Sequence, residues 1–115
     1  MSISREDAVA FALSLPDTIV EPYYGSPAVK VASNNRAFLV GSHEADSFGL
    51  AIDLDTKEML METDPDSFWQ TPHYVGYPMV LVKLSTPDPD RVKAIIERSR
   101  DWTAARPKAK VRKKK

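Results

Sequence analysis

Catalysis needs a nucleophile, a tuned acid or base, or a metal, and this sequence offers little of each. Cysteine is absent, which excludes thiolate chemistry, zinc ribbons, iron–sulfur ligation and disulfides. Of the two histidines, His43 and His73, the second is the better candidate. It stands between Trp69 and Tyr77, where an imidazole could pass a proton or bind a metal. No second histidine or carboxylate stands at ligand spacing from it, so the ordinary reading is a hydrogen-bonded loop histidine. Catalysis would need the fold to bring His73 against a carboxylate such as Glu21 or Asp53. Asp64-Pro65-Asp66 and Pro87-Asp88-Pro89-Asp90 are short carboxylate pairs of a kind that can hold Mg²⁺, but Asp and Pro in this pattern are first of all turn and cap formers. There is no Gly-rich phosphate loop, no G-x-S-x-G and no H-E-x-x-H. The expectation is a protein without catalytic residues, metal ligands or cofactor.

Binding residues are more plentiful. Trp69, Tyr74 and Tyr77, with His73 among them, offer flat faces on which a base or another planar ligand can stack, as do Tyr23 and Tyr24; such rings also serve simply as packing. Lys30, Arg36 and Lys83 fall on or beside predicted strands, where they could meet phosphates or merely solvate a sheet face. The C-terminus differs in kind. Arg106, Lys108, Lys110, Arg112, Lys113, Lys114 and Lys115 supply 7 of the 16 basic residues, and no acid follows Asp101. The formal net charge of zero therefore splits into a body of −7 over residues 1 to 105 and a cationic end. Such a tail neutralises phosphates without reading bases, giving weak, salt-sensitive contacts.

These groups need a scaffold, and 115 residues with ordinary apolar and charged content make one domain, residues 1 to 107, followed by a basic tail, 108 to 115, expected to be mobile. Neither a signal-peptide pattern nor a membrane-length apolar run is present, so a cytoplasmic protein without membrane contact is expected, as monomer or weak dimer. Ser4 and the acids after it predict a helix over 5–15, stopped by Pro16-Asp17. Thr18 to Glu21 is a short β-branched run ended by Pro22, with a turn-rich link over 23–27. Val29 and Val31 alternate with Lys30, Asn34-Asn35 makes a turn, and Ala37 to Val40 returns as the second strand of a hairpin. Phe48 to Leu54 alternates as a strand. Asp55 and Glu58 resemble a capping box for a short helix through Met59 and Leu60. Phe68-Trp69 fits a short strand or one helical turn, Pro72 to Pro78 a loop, and Met79 to Leu84 a central strand. Asp88-Pro89 opens a last helix whose stripe is Val92, Ile95, Ile96, Ser99 and Trp102. Short links between strands favour an α+β fold: two layers, an antiparallel sheet covered by helices on one face, helix first and helix last.

Several segments in this order carry a resemblance: Leu13-Ser14-Leu15-Pro16 with Glu21, Gly25-Ser26-Pro27-Ala28-Val29-Lys30-Val31, Thr71-Pro72-His73-Tyr74-Val75-Gly76-Tyr77-Pro78 running into Val80-Leu81-Val82-Lys83-Leu84, and Trp102 before Ala104-Ala105-Arg106-Pro107-Lys108. Over residues 3 to 107 the chain resembles the MmcQ/YjbR family. The resemblance implies a YjbR-like "double wing", related to secretion-chaperone-like folds, and an association with DNA. The combined expectation is a non-catalytic binding module that contacts nucleic acid through Lys30, Arg36, Lys83, Arg106, Lys108, Lys110, Arg112 and Lys113. The alternative is a module for a protein or small ligand, using the sheet face and the His73/Tyr74/Tyr77 loop with Trp69.

Overall fold

Turn and cap chemistry sets the element boundaries in the computed structural model, which describes residues 2–23, 26–42, 44 and 46–108. Helix α1, Arg5–Leu13, starts where the Ser4 hydroxyl accepts the Asp7 amide at 3.0 Å, with Glu6 and Asp7 at the positive end of the helix dipole. It stops short of Leu15 because the Ser14 hydroxyl turns back onto the Phe11 carbonyl at 2.6 Å and Asp17 takes a left-handed φ of 60°.

Strands β1, Thr18–Tyr23, and β2, Ser26–Val31, then pair antiparallel. Here the sequence expectation of a strand ending at Pro22 and a link over 23–27 is corrected: both prolines lie within strands. They stand opposite each other in the register. The Ala32 amide donates to the Asp17 carbonyl at 2.8 Å, so by alternation Ile19, Glu21 and Tyr23 turn their backbone polar groups toward β2, while Thr18, Val20 and Pro22 turn theirs away. Pro22 thus has no ladder bond to lose. Pro27 lies beyond the stretch of β2 that pairs with the next strand, so it loses none either.

The Asn34-Asn35 turn, with Asn35 at φ 59°, leads into β3, Arg36–Gly41, and a register shift at Val29/Lys30 leaves Phe38 as the extra residue of a bulge. Strand β4, Ser47–Ala51, ends before the expected Leu54. The capping residue of α2, Leu54–Thr63, is Asp53 and not Asp55: its carboxylate accepts the Thr56 amide at 3.1 Å and hydroxyl at 2.9 Å. Phe68–Trp69 forms a two-residue strand, β5, and Pro72–Tyr74 a single 3-10 turn; β6, Met79–Lys83, follows. The sheet order is β1-β2-β3-β4-β6-β5, all antiparallel, which places β6 inside the sheet. Asp88 caps α3, Pro89–Ala104, by accepting the Arg91 amide, and Pro89 enters at the first turn.

All three helices share one face of the sheet. α1 lies on β1 and β2 and touches α3, which crosses β2, β3 and β4; α2 covers β5 and β6 and is tied to α3 by the Arg98 guanidinium on the Thr56 hydroxyl at 3.1 Å. Between the layers, Val29, Val31, Phe38, Phe48, Leu50, Val80 and Val82 meet Ala8, Ala12, Leu60, Val92, Ile95 and Ile96, all buried. This is the two-layer α+β architecture, helix first and helix last. Trp102 is only half-buried at the rim of this core, and Thr103 beside it takes the buried position. No described helix is long and apolar enough to cross a membrane.

One polar side chain fixes the far end of α3. Asn34, buried in the β2–β3 turn, donates its amide to the carbonyls of Thr103 at 2.7 Å and Arg106 at 3.2 Å, satisfying acceptors that the helix end leaves open. Asn34→Ala leaves both without that donor, so urea unfolding is expected to register a loss of about 1–3 kcal/mol.

Candidate functional site

The contact made by Asn34 also assembles the basic groups at one end of the molecule. With α3 ending at the β2–β3 turn, Arg36 at the start of β3 donates from Nε to the Pro107 carbonyl at 2.5 Å. The Arg106 guanidinium lies over the Trp102 ring, 4.7 Å from its centroid, a stacking contact that leaves the charge unneutralised. Lys108 is exposed. Arg36, 70 residues upstream of Arg106, therefore shares a pole with the root of the tail. The ion pairs among the described residues, Lys30–Glu21, Arg91–Asp64 and Arg100–Asp101, take in none of these three cations. Lys110, Arg112 and Lys113 lie outside the described residues.

The other two predicted basic groups are elsewhere. Lys30 pairs with Glu21 at 2.9 Å on the face away from the helices, diagonal to its cross-strand neighbour Ile19. Lys83, at the end of β6, lies three strands across and several residues along, on the order of 20 Å from Lys30 by strand spacing. Lys30, Lys83 and the Arg36 pole thus do not form one surface.

The aromatic candidates also divide. Trp69 is half-buried and reaches across β6 to donate from Nε1 to the Ser47 hydroxyl at 3.0 Å, beside Leu81. Next to it, Val40 and Met79 close over Gly49, where a Cβ would stand 3.0 Å from Val40 Cγ2 and 3.3 Å from Met79 Sδ. Leu81 and Val40 are buried as a result, and this part of the sheet face is covered by its own side chains. His73, Val75 and Tyr77 are instead exposed on the 72–78 loop, with the His73 ring edge-on to Tyr74 at 5.5 Å. Tyr24, His43 and the side chain of Tyr23 lie outside the described residues.

Among the described residues no acid–base pair forms around His73. Glu21 is on the far edge strand, bound to Lys30, and the Asp53 carboxylate is occupied as a helix cap. Burial acts to raise the Asp53 pKa, but the bonds from Thr56 and the charge of Arg98 outweigh it and hold the group below the usual carboxylate value. Among the described residues no three His, Asp or Glu side chains gather as metal ligands.

Two features were not foreseen from the sequence. A cleft of about 230 Å³ opens beside α1, lined by Arg5, Val9, Pro27, Leu39, Ser42 and Phe48; it is smaller than pockets that hold drug-sized ligands. The Arg5 guanidinium at its rim donates to the Glu44 carbonyl at 3.2 Å and the Ser47 carbonyl at 3.1 Å, tying Glu44 and the start of β4 to α1. The second is Lys57. Its stem is buried in α2, and its ammonium donates to the carbonyls of Tyr74 at 2.7 Å and Tyr77 at 2.8 Å, fixing the 72–78 loop from beneath. A lysine at one end of a helix and two carbonyls of a later loop leave no local pattern by which to find them.

Burial lowers the Lys57 pKa below the usual lysine value, against a smaller opposing pull from Glu58. The unfolded chain then holds more protons than the folded one between the depressed value and 10.5, so this group's contribution to stability is lost as pH falls through its folded pKa and fully present above 10.5. Thermal unfolding across the alkaline range should show the wild type gaining stability with pH relative to Lys57→Met. The Met variant should also be weaker by about 1–3 kcal/mol near neutral pH, since two loop carbonyls lose their donor.

Comparison of the chain with protein-family models, with curated proteins and with solved structures finds no match.

Proposed function

We propose that this protein is a non-catalytic binding module that engages nucleic acid through its C-terminal basic pole. The observation that carries the reading is the docking of residues 103–107 on the β2–β3 turn by Asn34 and Arg36, which sets Arg36, Arg106 and Lys108 together at the root of a run of seven cations. Arg36 contacts a carbonyl and Arg106 an aromatic ring rather than carboxylates, so their charge remains available to phosphates. The body behind them is net anionic, which orients a polyanion toward this pole and repels it elsewhere. The resemblance to the MmcQ/YjbR family, with its association with DNA, points the same way. Lys30, held by Glu21, and Lys83, remote from the pole, contribute little to this reading.

Binding of this kind is electrostatic and largely indifferent to sequence. With all seven C-terminal cations, Arg106 and the six of the tail, engaged on duplex DNA, a plot of log affinity against log salt has a slope of about −6, and Arg36 adds nearly one more. Anisotropy titrations at several salt concentrations should therefore show Arg36→Ala reducing the slope by roughly 1 and removal of residues 108–115 abolishing most of it. Affinity indifferent to salt and to both changes would overturn the reading.

A second reading, a protein-binding loop, is favoured by Lys57: a backbone held from below presents Val75 and Tyr77 outward, 65% and 56% exposed. A Tyr77→Ala, Val75→Ser variant should retain full DNA affinity if the basic pole is the site, and lose it if the loop takes part.

A further inference from the structure

The sheet has two unlike edges. β5 is two residues long, whereas β1 runs for six and pairs only on its β2 side. The backbone groups of Thr18 and Val20 point outward from it, and its apolar side chains are open on both faces, Val20 by 45% on the helix-covered face and Ile19 by 37% on the other, with Leu13, 38% exposed, at the end of α1 where its carbonyl accepts from the Thr18 hydroxyl at 3.4 Å. A long edge with open backbone groups and apolar flanks is a template for another strand.

We propose that β1 joins two copies of this chain edge to edge, antiparallel and centred on Val20. In that register Val20 faces the second copy's Val20 and exchanges two backbone bonds with it, while each Thr18 amide donates to the second copy's Pro22 carbonyl. Proline at position 22 costs only the return bond on each side. On the helix-covered face the row reads Val29, Val20, then the second copy's Val20 and Val29, continuing the apolar layer across the junction. On the opposite face the row reads Lys30, Ile19, then the second copy's Glu21, so the junction brings a second carboxylate onto the Lys30 side that already holds its own Glu21 and sets no like charges opposite each other.

Charge selects this register. Centring on Ile19 sets Glu21 opposite the second copy's Asp17 and puts both Lys30 side chains in one row; centring on Glu21 places the two Glu21 carboxylates face to face. The contact is isologous and leaves only the two short β5 edges outside, so it closes at a dimer. A strand-edge interface of this length falls in the small size class, and its occupancy should depend on concentration.

Sedimentation velocity of the full chain from about 10 µM to 1 mM, in roughly 0.5 M salt to screen the tail, should show a monomer–dimer equilibrium. Hydrogen exchange should show the amides of Thr18 and Val20 gaining protection with concentration, while those of Ile19 and Glu21, bonded within the hairpin, stay protected throughout. Val20→Lys, a change at an exposed position whose folding is checked by circular dichroism, should raise the dissociation constant at least tenfold; Met59→Lys, on the exposed face of α2, should not. A monomer at every concentration, or a dimer in which the Val20 amide exchanges as in the monomer, overturns the proposal.

Discussion

The position of α3 across the middle of the sheet decides most of what the rest of this molecule can do. Its apolar stripe supplies adhesion, but adhesion alone allows a helix to slide. Two polar contacts prevent that. Ser99, buried among the apolar residues, turns its hydroxyl onto the carbonyls of Ala51 and Phe38, acceptors at the end of β4 and in the bulge of β3. Asn34 holds the last turn from the hairpin tip. Each contact satisfies a group that would be costly to bury alone, so slippage of the helix along its axis leaves polar groups without partners. With α3 so fixed, residues 105–108 leave the body at Arg36 and nowhere else.

Electrostatic consequences follow from that geometry. The excess of acid in the body is dispersed over helix caps, turns and exposed helix faces, where single carboxylates do local work: Asp53 and Asp88 cap helices, Asp64 holds Arg91, and Glu21 holds Lys30. The cations of the pole are not distributed in this way. Arg36 and Arg106 are bound through neutral partners, which orient the guanidinium groups and leave the charge in place. Lys57 is the opposite case, a cation withdrawn from the surface to hold two loop carbonyls, so that it serves the 72–78 loop.

Much of the fold was legible because it is encoded locally. Ser4 with its following acids, Asp88-Pro89, Asn34-Asn35 and the alternation of Val29 and Val31 each specify a cap, a turn or a strand within a few residues. The errors arise where a distant neighbour decides. Asp53 with Thr56 and Asp55 with Glu58 are both plausible cap patterns; the choice falls to Asp53 because the chain leaves the sheet after Ile52, whose amide bonds to Pro78. Pro22 reads as a strand breaker until its register against Pro27 is known. Trp102 falls on the helical stripe, yet the stripe turns toward Thr103 at the sheet's rim. Of the site, the tail was plain from composition, but its union with Arg36 rests on contacts 71 residues apart in sequence. Neither the Lys57 staple nor the Arg5 clamp has a sequence signature.

The union of Arg36 with the tail bears on what kind of recognition the pole can provide. A run of cations alone attracts any polyanion, and its contacts are interchangeable, so it supplies affinity without fixing register. Arg36 is different because its guanidinium is held to a carbonyl at one nitrogen, so the donors that remain are presented from a defined place on a rigid hairpin. In the proposed contact with nucleic acid, one oriented guanidinium beside a string of unspecific charges would give a bound strand a point of reference: the tail would gather phosphates, and the fixed arginine would determine which of them lies against the body.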